Sequence, residues 1–143
     1  MLRKARATDM GMLISMARSF YEQSDYGGPF DEARAAETWA NVLAASDTNG
    51  VWLFEDGSGL IWFEVYQSPV SDDLLASERI LWVSPEKRGT GQGKTLILQY
   101  EADAKARGAR MASVSRHANN EAAGSFYERG GWTVSDVLYA KVF

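Results

Sequence analysis

The sequence predicts an α/β fold in a single domain over residues 1–143, with elements in the order β-α-α-β-β-β-α-β-α-β-β. Apolar residues recur at helical spacing in some segments and gather into short strand-like runs in others. A strand-like run ends in a glycine-rich turn over residues 83–94 and is followed by another helical pattern. The chain has 143 residues and 45% hydrophobic content, enough for one packed core and too short for two.

Residues 2–6 read as a first strand. Thr8 or Asp9 caps a helix with Met10, Leu13, Ala17 and Phe20 on one face, and Gly27-Gly28-Pro29 breaks the pattern. Asp31 caps a second helix carrying Ala36, Trp39, Ala40 and Leu43, which ends before residues 47–50. Strands at 51–55 and 60–67 are joined by the turn Asp56-Gly57-Ser58-Gly59. A polar loop over 68–76 leads to a fourth strand ending in Ile80-Leu81-Trp82-Val83. The third helix, 95–107, turns Leu96, Ile97, Tyr100 and Ala104 inward, with Glu101, Asp103, Lys105, Arg107 and Arg110 as its solvated side and exit. A strand at 110–115 follows, then a short helix capped by Asn119 or Asn120 and ended by Gly131. Final strands are expected over 132–134 and 137–142. Trp52, Trp62 and Trp82 fall on strands, where core packing is their expected role.

Composition narrows the function. Fifteen basic against nineteen acidic residues leave a net charge of -4, which argues against a nucleic-acid partner and suits a positively charged amine. The absence of cysteine excludes disulfides, thiolate metal sites and a cysteine acyl-enzyme, and a single histidine argues against a histidine-rich metal site. After Met1-Leu2-Arg3-Lys4, Asp9 interrupts any apolar leader, and no run approaches membrane length, so a cytoplasmic protein is expected.

The junction Val83-Ser84-Pro85-Glu86-Lys87-Arg88-Gly89-Thr90-Gly91-Gln92-Gly93-Lys94 carries the chemistry. Glycines on alternate positions remove side chains that would keep an anion from backbone N–H groups, and these sit at the positive end of a helix dipole. A nucleotide-hydrolysing loop needs four residues between its first glycine and Gly-Lys-Thr. Gly89 to Gly93-Lys94-Thr95 leaves only three, and the chain lacks a strand ending in a plausible magnesium carboxylate.

Read from Arg88, the segment is Arg-x-x-Gly-x-Gly and resembles the pyrophosphate loop of the GNAT superfamily of acyl-CoA-dependent N-acetyltransferases. A second segment, Asn120-Glu121-Ala122-Ala123-Gly124-Ser125-Phe126-Tyr127-Glu128-Arg129-Gly130-Gly131-Trp132, is similar to that family's Asn-x-x-Ala-x-x-aromatic-Tyr-x-basic-x-Gly-aromatic signature. The resemblance implies a mixed central sheet whose fourth and fifth strands splay apart. It implies acetyl-CoA as acyl-donor substrate, without a metal: the pyrophosphate on Arg88, Gly89, Thr90, Gly91, Gln92, Gly93 and Lys94, and the pantetheine arm along Leu81, Trp82 and Val83. Asn120, Ala123 and Tyr127 complete the cofactor side. The segment between the first two helices would help form the acceptor pocket, through Tyr26 and Phe30 and with Asp25 beside them. A small-molecule or protein amine is the implied acceptor, and a homodimer stays open.

Acyl transfer needs a held donor, a neutral amine and a proton for the leaving thiolate. An alkyl amine with a pKa of about 10.4 is mostly protonated at neutral pH, so a base helps. Glu78 stands first, where glutamate-base members of the family carry theirs; Glu64 and His117 follow, and a water chain would serve instead. Tyr127 is the expected acid, since a phenol of pKa about 10 can protonate a thiolate of pKa about 8.5 with little mismatch. The reading from sequence is an acyl-CoA-dependent N-acyltransferase, most simply an acetyltransferase acting by direct attack. The alternative is an inactive coenzyme A-binding sensor or interaction module.

Overall fold

The structure, a computed structural model, describes residues 1–24 and 27–143. By its internal contacts the chain divides into two compact units, Met1–Ser113 and Val114–Phe143.

The first unit is a sheet with helices on both faces. Its strands are β1 (Leu2–Lys4), β2 (Asn49–Phe54), β3 (Gly59–Gln67), β4 (Leu74–Val83) and β5 (Ala109–Ser113), and its helices α1 (Met10–Glu22), α2 (Glu32–Ala44) and α3 (Gln92–Ala106). The strands lie side by side in sequence order. β1 to β4 pair antiparallel, while β4 and β5 are parallel, so the sheet is mixed. Short 3-10 turns at Ala7–Asp9 and Pro85–Lys87 precede α1 and the loop to α3.

Alternation along β3 sorts the core into two layers. Leu60 and Trp62 join Leu13, Met16, Trp39 and Val42 of α1 and α2 in one buried cluster. On the opposite face Phe63 packs on Tyr100 of α3, with ring centroids 4.7 Å apart. Gly50, directly across from Phe63, makes room for that ring: a Cβ there would lie 2.2 Å from it.

Several sequence expectations hold and several are corrected. Asp31 caps α2 by accepting the Arg34 N–H at 2.9 Å. The turn before β3 forms with Gly57 at φ +75°, and Asp56 accepts the Ser58 N–H at 3.0 Å. The loop expected over 68–76 is shorter, because Leu74, Leu75 and Ala76 pair with Gln67, Tyr66 and Val65 and extend β4. Asp103 and Arg107, expected in solvent, are largely buried. Asp103 accepts the Trp52 indole N–H and the Arg107 guanidinium at 2.9 Å each, and Arg107 also binds the carbonyls of Ser46 and Asp47.

The second unit contains α4 (Glu121–Arg129). The strands expected at 132–134 and 137–142 are absent among the described residues. β-propensity marks residues that suit a strand but cannot supply a partner edge. Val137, Leu138 and Tyr139 are three consecutive exposed apolar residues without the alternation of a one-sided strand.

Asp9 ties β1 to the start of α1. Its carboxylate accepts two hydrogen bonds from the Arg3 guanidinium, at 2.8 and 2.9 Å, and one from the Arg6 N–H at 2.7 Å. Arg3, with the Arg6 N–H, outweighs burial and holds the Asp9 pKa down from 3.8 to about 2. A lowered carboxylate pKa stabilises the fold above its unfolded value, and that stabilisation is lost as pH falls from about 4 towards about 2. Asp9→Asn is expected to lower Tm at neutral pH and to flatten its decline over that acid window. An unchanged neutral Tm in thermal melts would contradict this role.

Candidate functional site

β4 is where the first unit becomes open. Its pairing with β5 covers Leu74, Leu75, Ala76 and Ser77 and stops, so beyond Ser77 the strand is laddered on the β3 side only. This is the splay expected between the fourth and fifth strands. A bulge sets the local geometry: Trp62 faces Ile80 and Phe63 faces Glu78, leaving Arg79 as the extra residue.

Two side chains close the ends of the gap. The Tyr100 hydroxyl, buried with its ring, donates to the carbonyl of Ser113, the last residue of β5, at 2.9 Å, and the backbone of Glu78 lies within hydrogen-bonding reach of it. Burial pushes the Tyr100 pKa well above its ordinary value, so this phenol stays a donor at physiological pH. At the other end Arg88 Nε donates to the Val83 carbonyl at 3.0 Å, and its Nη2 to Gln23 Oε1 at 2.6 Å. Arg88 therefore braces the strand end. Sequence reasoning placed Tyr100 in the core but missed its hydroxyl; a phenol on the inward face of α3 was the available signal.

The loop after β4 delivers the N-terminus of α3. Gly89 and Gly91 take φ of +79° and +92°, the left-handed region that glycine enters without penalty. A Cβ built at either would meet nothing within 4 Å, so the space before them is open. Gly91 is the N-cap of α3 and no side chain caps the helix. Among the described residues, the N–H groups of Gly89, Gly91, Gln92, Gly93 and Lys94 have no protein acceptor. By contrast, α2 is capped by Asp31 and α4 by Asn120. Ser58 Oγ fixes the first turn of α3 by donating to Gln92 Oε1 at 3.0 Å. Such a cradle suits a phosphate group.

The candidate bases fall on opposite faces of the sheet. Glu78 pairs with Phe63 and is the first residue past the last β4–β5 pair. Glu64 shares the face of Trp62, and Arg79 lies 3.9 Å from its carboxylate and over the Trp62 ring. Leu81 and Val83 lie along the open edge, half-buried, while Trp82 belongs to the α1–α2 cluster. The Trp82 indole N–H is buried without an acceptor among the described residues, a state that costs about 1–3 kcal/mol.

Phe30 lines a cavity of about 330 Å³ bounded by α1, α2 and the sheet. Asp25 and Tyr26, also expected near an acceptor, lie outside the described residues.

The second unit holds the remaining candidates. Asn120 Oδ1 accepts the Ala123 N–H at 3.1 Å, so its side chain caps α4. The helix ends in a Schellman motif: the Trp132 N–H bonds Tyr127 O, the Gly131 N–H bonds Glu128 O, and Gly131 has φ +88°. Tyr127 stacks on Phe126. Its hydroxyl, the expected acid, donates to Ser115 O at 3.1 Å. His117 is held in a loop whose carbonyls at His117, Ala118 and Asn120 accept from Arg116. Gly124 makes this possible, since a Cβ there would approach Arg116 Nε to 2.7 Å.

Known proteins share both the sequence and the architecture. A family described as "Acetyltransferase (GNAT) domain" matches residues 46–134. A mycothiol acetyltransferase of Thermobispora bispora is 31% identical over 135 residues, covering 87% of this chain and 43% of the relative; the chain thus spans less than half of that protein's length. Glucosamine-6-phosphate N-acetyltransferase of Arabidopsis thaliana has the same fold, with a TM-score of 0.78 at 14% identity over 100% of this chain and 97% of that one. So does AAC(6')-Iy in complex with a CoA-S-monomethyl-acetylneamine bisubstrate analogue, with a TM-score of 0.79 at 16% identity over 100% and 97% of the two chains.

Tyr100→Phe keeps the ring and leaves the Ser113 carbonyl without its donor. It is expected to cost about 1–3 kcal/mol in denaturant unfolding, as for a buried group stripped of its partner. An unchanged midpoint would show that the hydroxyl does not hold the two strands.

Proposed function

This chain belongs to the GNAT acetyltransferase family, and we propose that it transfers an acetyl group from acetyl-CoA to a primary amine by direct attack in a ternary complex. One observation carries the reading: the uncapped N-terminus of α3 lies one short loop after a strand whose edge is open. An extended, hydrogen-bonding arm ending in a pyrophosphate matches that combination. The N–H groups of Gly89, Gly91, Gln92, Gly93 and Lys94 receive the pyrophosphate, with the Lys94 charge beside them. Thr90, whose hydroxyl donates to Lys87 O, holds the turn. The backbone of Leu81, Trp82 and Val83 takes the pantetheine arm as an added strand.

The chemistry then falls to few groups. The amine nitrogen bonds to the acetyl carbon, the carbon–sulfur bond breaks, and the thiolate takes a proton. Glu78, at the mouth of the gap, removes the proton that the amine must lose; Glu64, tied to Arg79, is next in line. Tyr127 supplies the thiolate's proton, an assignment that rests on its offset in the second motif. To act, its hydroxyl must exchange its bond to Ser115 O. Asn120 and Ala123 support Tyr127 by starting the helix that carries it.

Gly91→Asp puts a side chain and a negative charge where the pyrophosphate sits. Acetyl-CoA affinity measured by calorimetry is expected to fall at least tenfold, about 1.4 kcal/mol. Unchanged binding in a folded variant would remove this reading.

Kinetics separate the two proton-transfer roles. Glu78→Gln is expected to lower kcat/KM most near neutrality and to recover at high pH, where free amine is abundant. A profile superimposing on wild type would pass the role to Glu64. Tyr127→Phe is expected to lower kcat about a hundredfold with little change in acetyl-CoA affinity. Wild-type kcat with chemistry rate-limiting would leave Tyr127 structural.

A further inference from the structure

The cavity between α1, α2 and the sheet has a wall chemistry that selects among amines. Tyr21, Phe30, Trp39 and Trp62 supply aromatic faces, and Ile80 of β4 forms part of the same wall. The rings brace one another in tilted pairs, Tyr21 on Phe30 at 5.9 Å and Trp39 on Trp62 at 5.3 Å between centroids. Two of their polar handles are engaged: the Trp62 indole N–H donates to Asn49 Oδ1 at 2.9 Å, and the Tyr21 hydroxyl to Gly27 O. Those two residues therefore offer a ligand π-surface and little hydrogen bonding, a poor match for a molecule rich in hydroxyl groups.

Charge around the cavity points the same way. Asp31 and Arg34 line it; at its margin Arg18 stacks on Phe30 and pairs with Glu32, and Arg79 covers Trp62 beside Glu64. Glu32 and Glu64 have cationic neighbours in Arg18 and Arg79, and the Asp31 carboxylate is taken up in capping α2, which leaves a weak acidic field to gather a polycation. The Arg34 guanidinium has no ion-pair partner among the described residues. Position completes the argument. Ile80 belongs both to this wall and to the stretch of β4 that β5 leaves open, so a ring seated in the cavity holds its attached group beside that edge.

We propose that the acceptor is a primary amine carrying one aromatic group, with the ring in this cavity and the amine directed to the open edge of β4. This rests on the acetyl-transfer reading above. Its nitrogen forms the amide bond as the thioester carbon–sulfur bond breaks, yielding the N-acetyl product and free coenzyme A thiol. The ring chemistry is shared by arylalkylamines and aromatic amino acids, which differ in the carboxylate that Arg34 would meet.

The test is thiol release from acetyl-CoA with tryptamine, phenethylamine, tryptophan and phenylalanine against spermidine and kanamycin, alongside calorimetry of acetyl-CoA alone. The expected result is a kcat/KM at least tenfold higher for the aromatic amines than for the polycations. Phe30→Ala, at a half-buried position, is expected to raise the KM of the aromatic amines about tenfold and leave acetyl-CoA affinity unchanged. Arg34→Ala assigns the source: a KM raised only for the amino acids identifies carboxylated acceptors, and unchanged KM values identify arylalkylamines. Acetyl-CoA binding with turnover of spermidine or kanamycin in preference to every aromatic amine would overturn the acceptor class alone. So would a folded Phe30→Ala protein with wild-type KM values. Failure of acetyl-CoA to bind would overturn the acetyl-transfer reading, and the acceptor class with it.

Discussion

Beyond Ser77, β4 keeps its ladder to β3 and loses its ladder to β5. Backbone N–H and C=O groups must be paired or solvated, and an open edge inside a sheet is unstable unless something holds the flanking strands apart and in place. Here the Tyr100 hydroxyl binds the final carbonyl of β5 just where the strands diverge. The ring beneath it is locked against Phe63, and Phe63 fits only because position 50 is glycine. A chain of contacts from Gly50 through Phe63 and Tyr100 thus sets where the gap begins, and Glu78 is the residue it presents there.

The second constraint is electrostatic and lies one turn further along the chain. Leaving a helix N-terminus uncapped forgoes a contribution of about 1 kcal/mol that a Ser, Thr, Asp or Asn would provide. The protein uses such caps on α2 and α4, yet places Gly91 at α3. Because a Cβ at Gly89 or Gly91 would touch nothing, backbone conformation and clear access to the N–H groups account for these glycines, and tight packing does not. The loop is secured from behind, by Ser58 on Gln92 and by Arg88 on Val83, so its front remains available.

Much of this was legible in the sequence, for identifiable reasons. Glycine spacing reports backbone conformation directly, which is why the loop at 88–94 and the stop at Gly131 could be read. Short-range capping is equally local: Asp31 and Asn120 act as expected, whereas Asp9 turns its carboxylate to Arg3 and the Arg6 N–H and makes no cap bond to α1. What escaped depends on contacts distant in sequence. The bulge at Arg79 is a property of two strands together. Asp103 looks solvated on a helical wheel and is drawn inward by Trp52, fifty-one positions away. The run at 137–142 has strand-forming residues without strand pairing among the described residues. The candidate acids and bases were named from motif offsets, and offsets do not convey that Tyr127 donates to Ser115 or that Arg79 stands beside Glu64.

An amide chemical-shift titration of the isotope-labelled protein with a coenzyme A analogue lacking the reactive thiol measures the open edge and the loop at once. The predicted result is a large, saturable shift of the Gly89, Gly91, Gln92, Gly93 and Lys94 amides, accompanied by shifts along Leu81, Trp82 and Val83. Binding that perturbs other surfaces and leaves these amides unmoved would contradict the assignment of pyrophosphate to the α3 N-terminus and of the pantetheine arm to the edge of β4.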